Sequence, residues 1–397
     1  MKYTVGIILI LSIVFQSCTK SVDAVDSYFG FDIPKDSLQS YLQNKMESLN
    51  IPGMSFAMIN EGEVVYHETF GYANVAEKIP VSDKTIFEAA SLSKPVFAFF
   101  VMKYVEEGKL DLDKPLYEYL PYPDIAHDER YKKITARMVL SHRTGFPNWR
   151  GDTPENKLHI KFEPGTDYFY SGEGYQYLAK VLKHIEDTDW EGLEQQFQEK
   201  IAAPFGMEHT VFIQDAYSIA NKAEPYDDDG KWINPERDRD SIVRYQFVAP
   251  ASLHSEAIDF SKWMIAVMNH EGLQQQSYAE LFKVHSYVGE FNSFKVNYSL
   301  GFFVPEVPFA NIFLHGGNNF GFTCYFALDP EDKWGYVLFT NSEYGEQLGS
   351  EFALYAMFGP NMAKVYSILA VFALGIILMI VFVIRRIRKR IRNRKNA

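Results

Sequence analysis

Runs of strand length and strand composition fall in two places far apart in this chain, and that separation limits the folds open to it. Gly53 to Ile59 and Val64 to Phe70 are divided by Asn60-Glu61-Gly62-Glu63, a hairpin signature, and Gly71 closes the second run. Near the other end, Leu300 to Val304, Ile312 to His315, Gly321 to Leu328 and Trp334 to Asn341 read as strands, with turns expected at Gly316-Gly317 and Asp329-Pro330. Between the two groups the spacing is helical, at Tyr175 to Glu186, Trp190 to Ile201 and Glu256 to Asn269, among loops rich in Pro, Asp and Tyr. Leu38, Tyr41, Leu42 and Met46 predict an amphipathic helix over Ser37 to Ser48, introduced by Pro34 and Asp36, and a last helix is expected over Glu343 to Met357. The simplest architecture is α/β. One antiparallel sheet is built from both termini and flanked by helices, at about 30–110 and 290–360, with a mostly helical domain inserted at about 111–289. The whole folded body is expected at 30–360.

Two segments outside that body concern membranes. Val365 to Ile384 holds twenty residues without a charge. At ~1.5 Å per residue it would reach ~30 Å, so the expected fold class includes one C-terminal transmembrane helix at 365–384. A basic block begins at Arg385, which predicts a cytoplasmic tail at 385–397 and places the body outside that membrane. At the other end Lys2, an apolar stretch from Val5 to Phe15, and Gln16-Ser17-Cys18 make residues 1–17 an export signal. Cys18 after Ser17 also resembles a bacterial lipoprotein signal, in which the cysteine becomes the acylated first residue; ordinary cleavage is the alternative. The expected location is the bacterial cytoplasmic membrane, folded body on the extracytoplasmic side and C-terminus cytoplasmic, with membrane lipid as one partner. Set aside Lys2 and the eight basic residues of the tail, and 30 basic face 51 acidic residues, a balance of −21 that repels phosphate backbones and excludes nucleic acid as a partner. Cys324 is the one cysteine besides Cys18, so the body has no disulfide to rely on; it reads as a small buried hydrophobe.

Ser91-Leu92-Ser93-Lys94 is the candidate for chemistry. Residues three apart share a helix face, so the Lys94 amine can reach the Ser91 oxygen, and a lysine whose pKa is lowered by burial can take a serine proton. The pattern alone is weak, since Ser17-Cys18-Thr19-Lys20 fits it too. Context separates the two: Ser91 follows the strand-like Thr85 to Ala90 and opens a strongly apolar stretch to Glu107 that stops at Gly108, whereas Ser17 straddles a signal junction. Pro95 is tolerable there because it falls early in the helix.

The run Phe87 to Pro95, continuing through Tyr104-Val105-Glu106-Glu107-Gly108-Lys109-Leu110 to Tyr119-Leu120-Pro121, resembles the serine-lysine helix and following turn of the β-lactamase-related serine hydrolases. That family includes class C β-lactamases, D-specific peptidases, penicillin-binding proteins and certain esterases. Further matches follow in its order: Leu140 to Pro147, Phe162 to Thr166 leading into Tyr170-Ser171-Gly172, Pro204 to Thr210, Tyr298 to Phe302, His315-Gly316-Gly317, Gly321-Phe322 and Thr340-Asn341-Ser342. The resemblance covers roughly Phe31 to Met357 and implies a β-lactamase/transpeptidase-like fold.

It implies roles as well. Ser91 is the nucleophile, Lys94 its base, and Tyr170 the phenol that relays a proton and later helps water. His315 stands on the strand motif where much of the family has lysine, in a His-x-Gly form, and Gly316 and Gly317 let a substrate backbone lie against the strand edge. The N–H groups of Ser91 and Asn318 form the oxyanion hole, and Asn148 and Trp149 are candidate pocket walls. Gly172 departs from the family's usual asparagine two residues after the tyrosine, which puts efficient β-lactam turnover in doubt.

The ten histidines show no His-Glu-x-x-His or His-x-His spacing, there is no Gly-x-Ser-x-Gly elbow, and Gly-rich phosphate loops are lacking. The expectation is a serine hydrolase without metal or organic cofactor, taking a small-molecule or peptide substrate. The bond cleaved is expected to be a peptide or amide bond in D-amino-acid-containing or cell-wall-type peptides, with ester or weak β-lactam hydrolysis as alternatives. A non-catalytic penicillin-binding sensor or scaffold is the reading of another class.

Overall fold

Strands form in this chain where aromatic and aliphatic residues run on without polar alternation, which is the mark of a sheet covered on both faces. The computed structural model describes residues 23–234, 246–291 and 294–361. Its strands, in chain order, are β1 (Ala24–Asp26), β2 (Asp32–Pro34), β3 (Gly53–Asn60), β4 (Glu63–Asn74), β5 (Ile79–Pro80), β6 (Phe87–Glu88), β7 (His254–Ser255), β8 (Ser286–Phe291), β9 (Phe294–Tyr298), β10 (Phe303–Pro305), β11 (Phe313–Asn319), β12 (Phe322–Asp329) and β13 (Trp334–Thr340). The helices used below are α1 (Lys35–Ser48), α2 (Ser93–Glu106), α3 (Ala136–Leu140), α4 (Gly172–Ile185), α5 (Trp190–Phe197), α6 (Ala257–Met268), α7 (Gln275–Phe282) and α8 (Gly345–Phe358).

Nine strands form one sheet in the order β5-β4-β3-β13-β12-β11-β10-β9-β8, antiparallel throughout. The seam between the two ends of the sequence is β3 against β13, with Val337 opposite Ala57. The expectation of one antiparallel sheet assembled from both termini therefore holds. Every residue of β3, β12 and β13 is buried. On one face α6 supplies Phe260, 5.5 Å from Phe326 and 5.6 Å from Phe339 between ring centres. On the other, α8 sets Phe352 4.8 Å from Tyr336 and 5.1 Å from Phe56.

The segment 42–353 is one compact unit, and the described ends 23–41 and 354–361 belong to a second. Within the second, β1 pairs with β2, and Tyr41 stacks on Tyr355 at 4.0 Å.

Four differences from the sequence reading have physical causes. Gly316-Gly317 is not a turn: both lie inside β11, and the chain reverses at Phe320-Gly321, where Gly321 takes φ +73°. The expected strand at Leu300 begins only at Phe303, because Gly301 (φ +95°) bends the chain against α2, its Cα facing Ala98 and Pro95. β8 and β9 form a hairpin at the end of what reads as the helical insert, and β7 returns from the insert to pair with β6. Fourth, the fold class is corrected in its membrane part: among the described residues no helix is long and apolar enough to cross a membrane. The longest, of 14 residues, reach ~21 Å against a bilayer core of ~30 Å. The expected span 365–384, the tail 385–397, the leader 1–17 and Cys18 lie outside the described residues.

Candidate active site

α2 begins at the centre of the molecule because its sequence is apolar on every side: eleven of its fourteen residues are buried, Lys94 among them. A single 3-10 turn, Ala90–Leu92, leads into it, and Pro95 sits in its first turn, where a missing N–H costs nothing. Ala90 is held at φ +44°, a conformation that a residue with a side chain rarely adopts. It thereby turns the half-buried Ser91 out of β6 at the mouth of the helix.

Lys94 Nζ lies 2.9 Å from Ser91 Oγ and donates to the carbonyl of Pro250 at 3.0 Å. Burial pushes its pKa well below the ordinary lysine value, toward the neutral amine that a base requires. Pro250 belongs to the segment that returns from the helical insert, where Ala89 N–H donates to Leu253 O and Leu253 N–H to Ser93 Oγ. The insert thus reaches back to clamp the amine.

The Tyr170 ring lies over this amine, its centre 4.5 Å from Nζ, and its hydroxyl hydrogen-bonds Ser91. Burial pushes the phenol above its usual range, with the Ser91 bond opposing. The three groups that the sequence selected are therefore together.

His315 is the fourth, and a buried chain fixes its state. Ser171 N–H donates to His142 Nδ1 (3.0 Å), so the proton of that ring is on Nε2, which faces the Tyr298 hydroxyl at 3.2 Å. The Tyr298 hydroxyl lies 3.2 Å from His315 Nε2 as well, and His315 Nδ1–H donates to Gly316 O (2.6 Å). His142 thus carries one proton, and burial keeps both rings neutral. Burial and the nearby Lys94 lower His315 to about 3, while burial, with Lys94 and His315, lowers His142 well below 6.5. His142 and Tyr298 lie in motifs that the sequence displays, at Leu140 to Pro147 and Tyr298 to Phe302, but nothing in those motifs assigns them this task.

Gly317 explains how close the sheet comes. A Cβ there would lie 3.0 Å from Ser91 N, 2.8 Å from Ala89 O and 2.6 Å from Cys324 Sγ. The Ser91 amide is thereby set against β11, with Asn318 next along the strand; the Asn318 side chain reaches Glu343 at 3.4 Å. Cys324 is fully buried, as the sequence suggested.

Asn148 and Trp149 meet the opposite side, against Gly172. The Gly172 N–H donates to Asn148 Oδ1 (3.1 Å) and O (3.0 Å), and a Cβ at 172 would lie 3.0 Å from the Asn148 carbonyl and 3.2 Å from the Trp149 ring. The asparagine usual in the family would need Asn148 or Trp149 to give by a few tenths of an ångström.

A second polar group went unnoticed in the sequence. Buried Glu88 is ion-paired with Lys222 and accepts from Asn319 Nδ2 at 2.7 Å, tying the start of the nucleophile turn to the end of β11. Burial alone would raise its pKa, but the charges of Lys222 and His254 and the Lys222 and Asn319 bonds bring it below the usual value. No cluster among the described residues has a metal-holding set of His, Cys, Asp or Glu. A surface groove of ≈ 450 Å³, lined by Lys180, Lys183, His184 and Trp190 among others, contains none of these groups.

Comparison with known proteins agrees with this geometry. The family model described as Beta-lactamase matches residues 38–356. The Protein flp of Staphylococcus aureus (strain MW2) is 24% identical over 337 residues, covering 79% of this chain; the chain spans 65% of that relative's length. Among solved structures, the D-alanine carboxypeptidase AmpC from Burkholderia cenocepacia superposes with a TM-score of 0.67 at 19% identity, covering 82% of this chain and 98% of that one. EstCE1, a hydrolase with promiscuous acyltransferase activity, gives 0.70 at 21%, with the same two coverages. These likenesses establish a shared fold.

Proposed function

The chain belongs to the β-lactamase family, and on that premise we propose that it is a serine hydrolase working through an acyl-enzyme on a peptide or amide bond. Its substrates are D-amino-acid-containing or cell-wall-type peptides at the outer face of a bacterial cytoplasmic membrane. The observation that carries the reading is the desolvated Lys94 amine, 2.9 Å from the Ser91 hydroxyl and held there by Pro250 O. Lys2 and the apolar run Val5 to Phe15, read as an export signal, are what favours this location.

In the reaction the neutral Lys94 amine takes the Ser91 proton as the oxygen bonds to the substrate carbonyl carbon. The N–H groups of Ser91 and Asn318 hold the negative charge that develops on the carbonyl oxygen. When the tetrahedral intermediate collapses, the C–N bond breaks and the leaving nitrogen takes a proton passed from Lys94 through Tyr170. Water then loses a proton to the same pair and adds to the acyl carbon; as the C–O bond to Ser91 breaks, the Ser91 oxygen takes that proton back and the neutral amine is restored. Neutral His315 serves as a hydrogen-bonding wall. Ester hydrolysis uses the same groups and is the second reading, because Gly172 lacks the amide side chain that the family usually has there.

Fluorophosphonate labelling of wild type and Ser91→Ala, with hydrolysis of D-peptides, p-nitrophenyl esters and a chromogenic cephalosporin, tests the reading. Labelling confined to Ser91, turnover of D-peptides and slow cephalosporin turnover are expected. A protein that neither labels nor hydrolyses any of them is the non-catalytic sensor instead.

A further inference from the structure

β11 is bonded to β12 along its whole length but to β10 at Phe303↔Leu314 alone. From His315 to Asn319 the ladder leaves its other edge open beside Ser91, where an extended substrate can add as a strand. Two acidic groups stand beside this edge, on the face of β11 turned away from Ser91. Gly316 has no side chain, and the carboxyl of Glu346, from the first turn of α8, fills the space: its Oε1 lies 2.5 Å and its Cδ 2.8 Å from where a Cβ would stand. Partial burial shifts this carboxyl upward, no cation among the described residues contributes to its state, and its charge is felt at Tyr170. One turn earlier, Glu343 accepts from Gly321 N–H (2.7 Å) and faces Asn318 Nδ2.

Among the described residues, the cations around the site are committed elsewhere. Lys94 is held under Ser91 by Pro250 O, and His315 is kept neutral by burial. Lys222 is paired with Glu88, and Arg150, beside Trp149, with Glu173 and Asp124. Among the described residues a substrate carboxylate laid on this edge meets like charge and no uncommitted cation, whereas an ammonium meets Glu346.

We propose that Glu346 makes this site selective for substrates that carry a positive charge on the group lying along the open edge of β11, and selective against those that carry a carboxylate there. The inference rests on the serine-hydrolase reading above and names its substrate class.

The test uses the full chain and three N-acetyl-D-alanine thioesters that differ in the charge of the thiol: thiocholine, 3,3-dimethylbutane-1-thiol and 3-mercaptopropionate. The expected kcat/KM order is cationic, neutral, anionic, with about 10-fold or more between the extremes. In Glu346→Gln the spread should shrink to within about 3-fold, and in Glu346→Lys it should invert, the change appearing mainly in KM because charge recognition acts on binding. Fluorophosphonate labelling of Ser91 in each variant certifies a folded site. Equal kcat/KM for the three esters in wild type, or a spread that Glu346→Gln leaves in place, overturns the charge inference alone. Failure of wild type to cleave any of them overturns the hydrolase reading, and the inference falls with it.

Discussion

Adding one methyl group at Gly317 tests whether the contact between strand and nucleophile is what makes the site. The methyl of Gly317→Ala would stand 2.6 Å from Cys324 Sγ, 2.8 Å from Ala89 O and 3.0 Å from Ser91 N. Favourable contacts between carbon atoms lie at ~3.5–4.0 Å, so β11 and the Ser91 turn must separate by roughly half an ångström to one ångström. Two of the three atoms belong to the backbone of the turn that leads into the nucleophile and cannot rotate away. A displacement of ~1 Å in a reacting geometry can cost ~10²-fold, and losing one oxyanion donor costs ~10²–10³. Overpacking costs ~1–3 kcal/mol of stability, which a domain with this core survives.

The assay is the second-order rate of fluorophosphonate labelling at Ser91, which requires no knowledge of the substrate, beside a thermal melt. Gly317→Ala should label about 10²-fold more slowly, with a lowered Tm. The double variant Gly317→Ala/Cys324→Ala removes the sulfur contact and keeps both backbone contacts, so it should recover Tm and leave the rate low. A folded Gly317→Ala that labels within about 3-fold of wild type refutes the reasoning, as does a double variant that regains the rate.

Two further predictions concern charge. Because burial holds Lys94 well below 10.5, kcat/KM should rise with pH along one limb whose midpoint lies well under that value, and His315, at about 3, should add no limb above pH 5. A depressed lysine is deprotonated in the fold while the unfolded chain still binds the proton, so the Lys94 contribution to stability should grow with pH from its folded pKa up to 10.5; melts of wild type against Lys94→Met across that window check the sign. Lys222→Met strips the cation from Glu88, which is 3% exposed, and should destabilise by about 3–5 kcal/mol at pH 7 in urea unfolding. In wild type the pair's stability is present above the unfolded pKa of 4.5 and lost as pH falls through the depressed folded value, so the gap between variant and wild type should narrow in acid. A gap independent of pH would count against the pairing.

What was legible in the sequence is what local pattern encodes. The β3–β4 hairpin, α2 with its stop at Gly108, and β12 and β13 all appear near their expected positions, because strand and helix periods and glycine stops are local signals. Ser91, Lys94 and Tyr170 were legible through spacing and motif order, and they converge. Partners separated by long stretches of chain were not. His142 meets Tyr298 across 156 positions, Lys222 meets Glu88 across 134, and no periodicity records such contacts. Glycine misled for a related reason. A Gly-Gly pair read locally is a turn, yet at 316 and 317 the missing side chains make room for Glu346 on one face of β11 and for Ser91 on the other.

The same economy explains why a lysine can act as a base here at all. An amine on an exposed helix start would stay protonated and could accept nothing from a serine. Lys94 is 1% exposed because α2 is apolar on all sides, because Gly301 lets the chain before β10 lie against Pro95 and Ala98, and because the helical insert returns Pro250 to the amine. Each of these features is a packing feature, and together they remove water from one nitrogen. The cost of burying that amine falls on stability, and its lowered pKa is what the chemistry uses. Loosening any of the three should therefore raise the Lys94 pKa and move the activity limb to higher pH while leaving Ser91 and Lys94 in place.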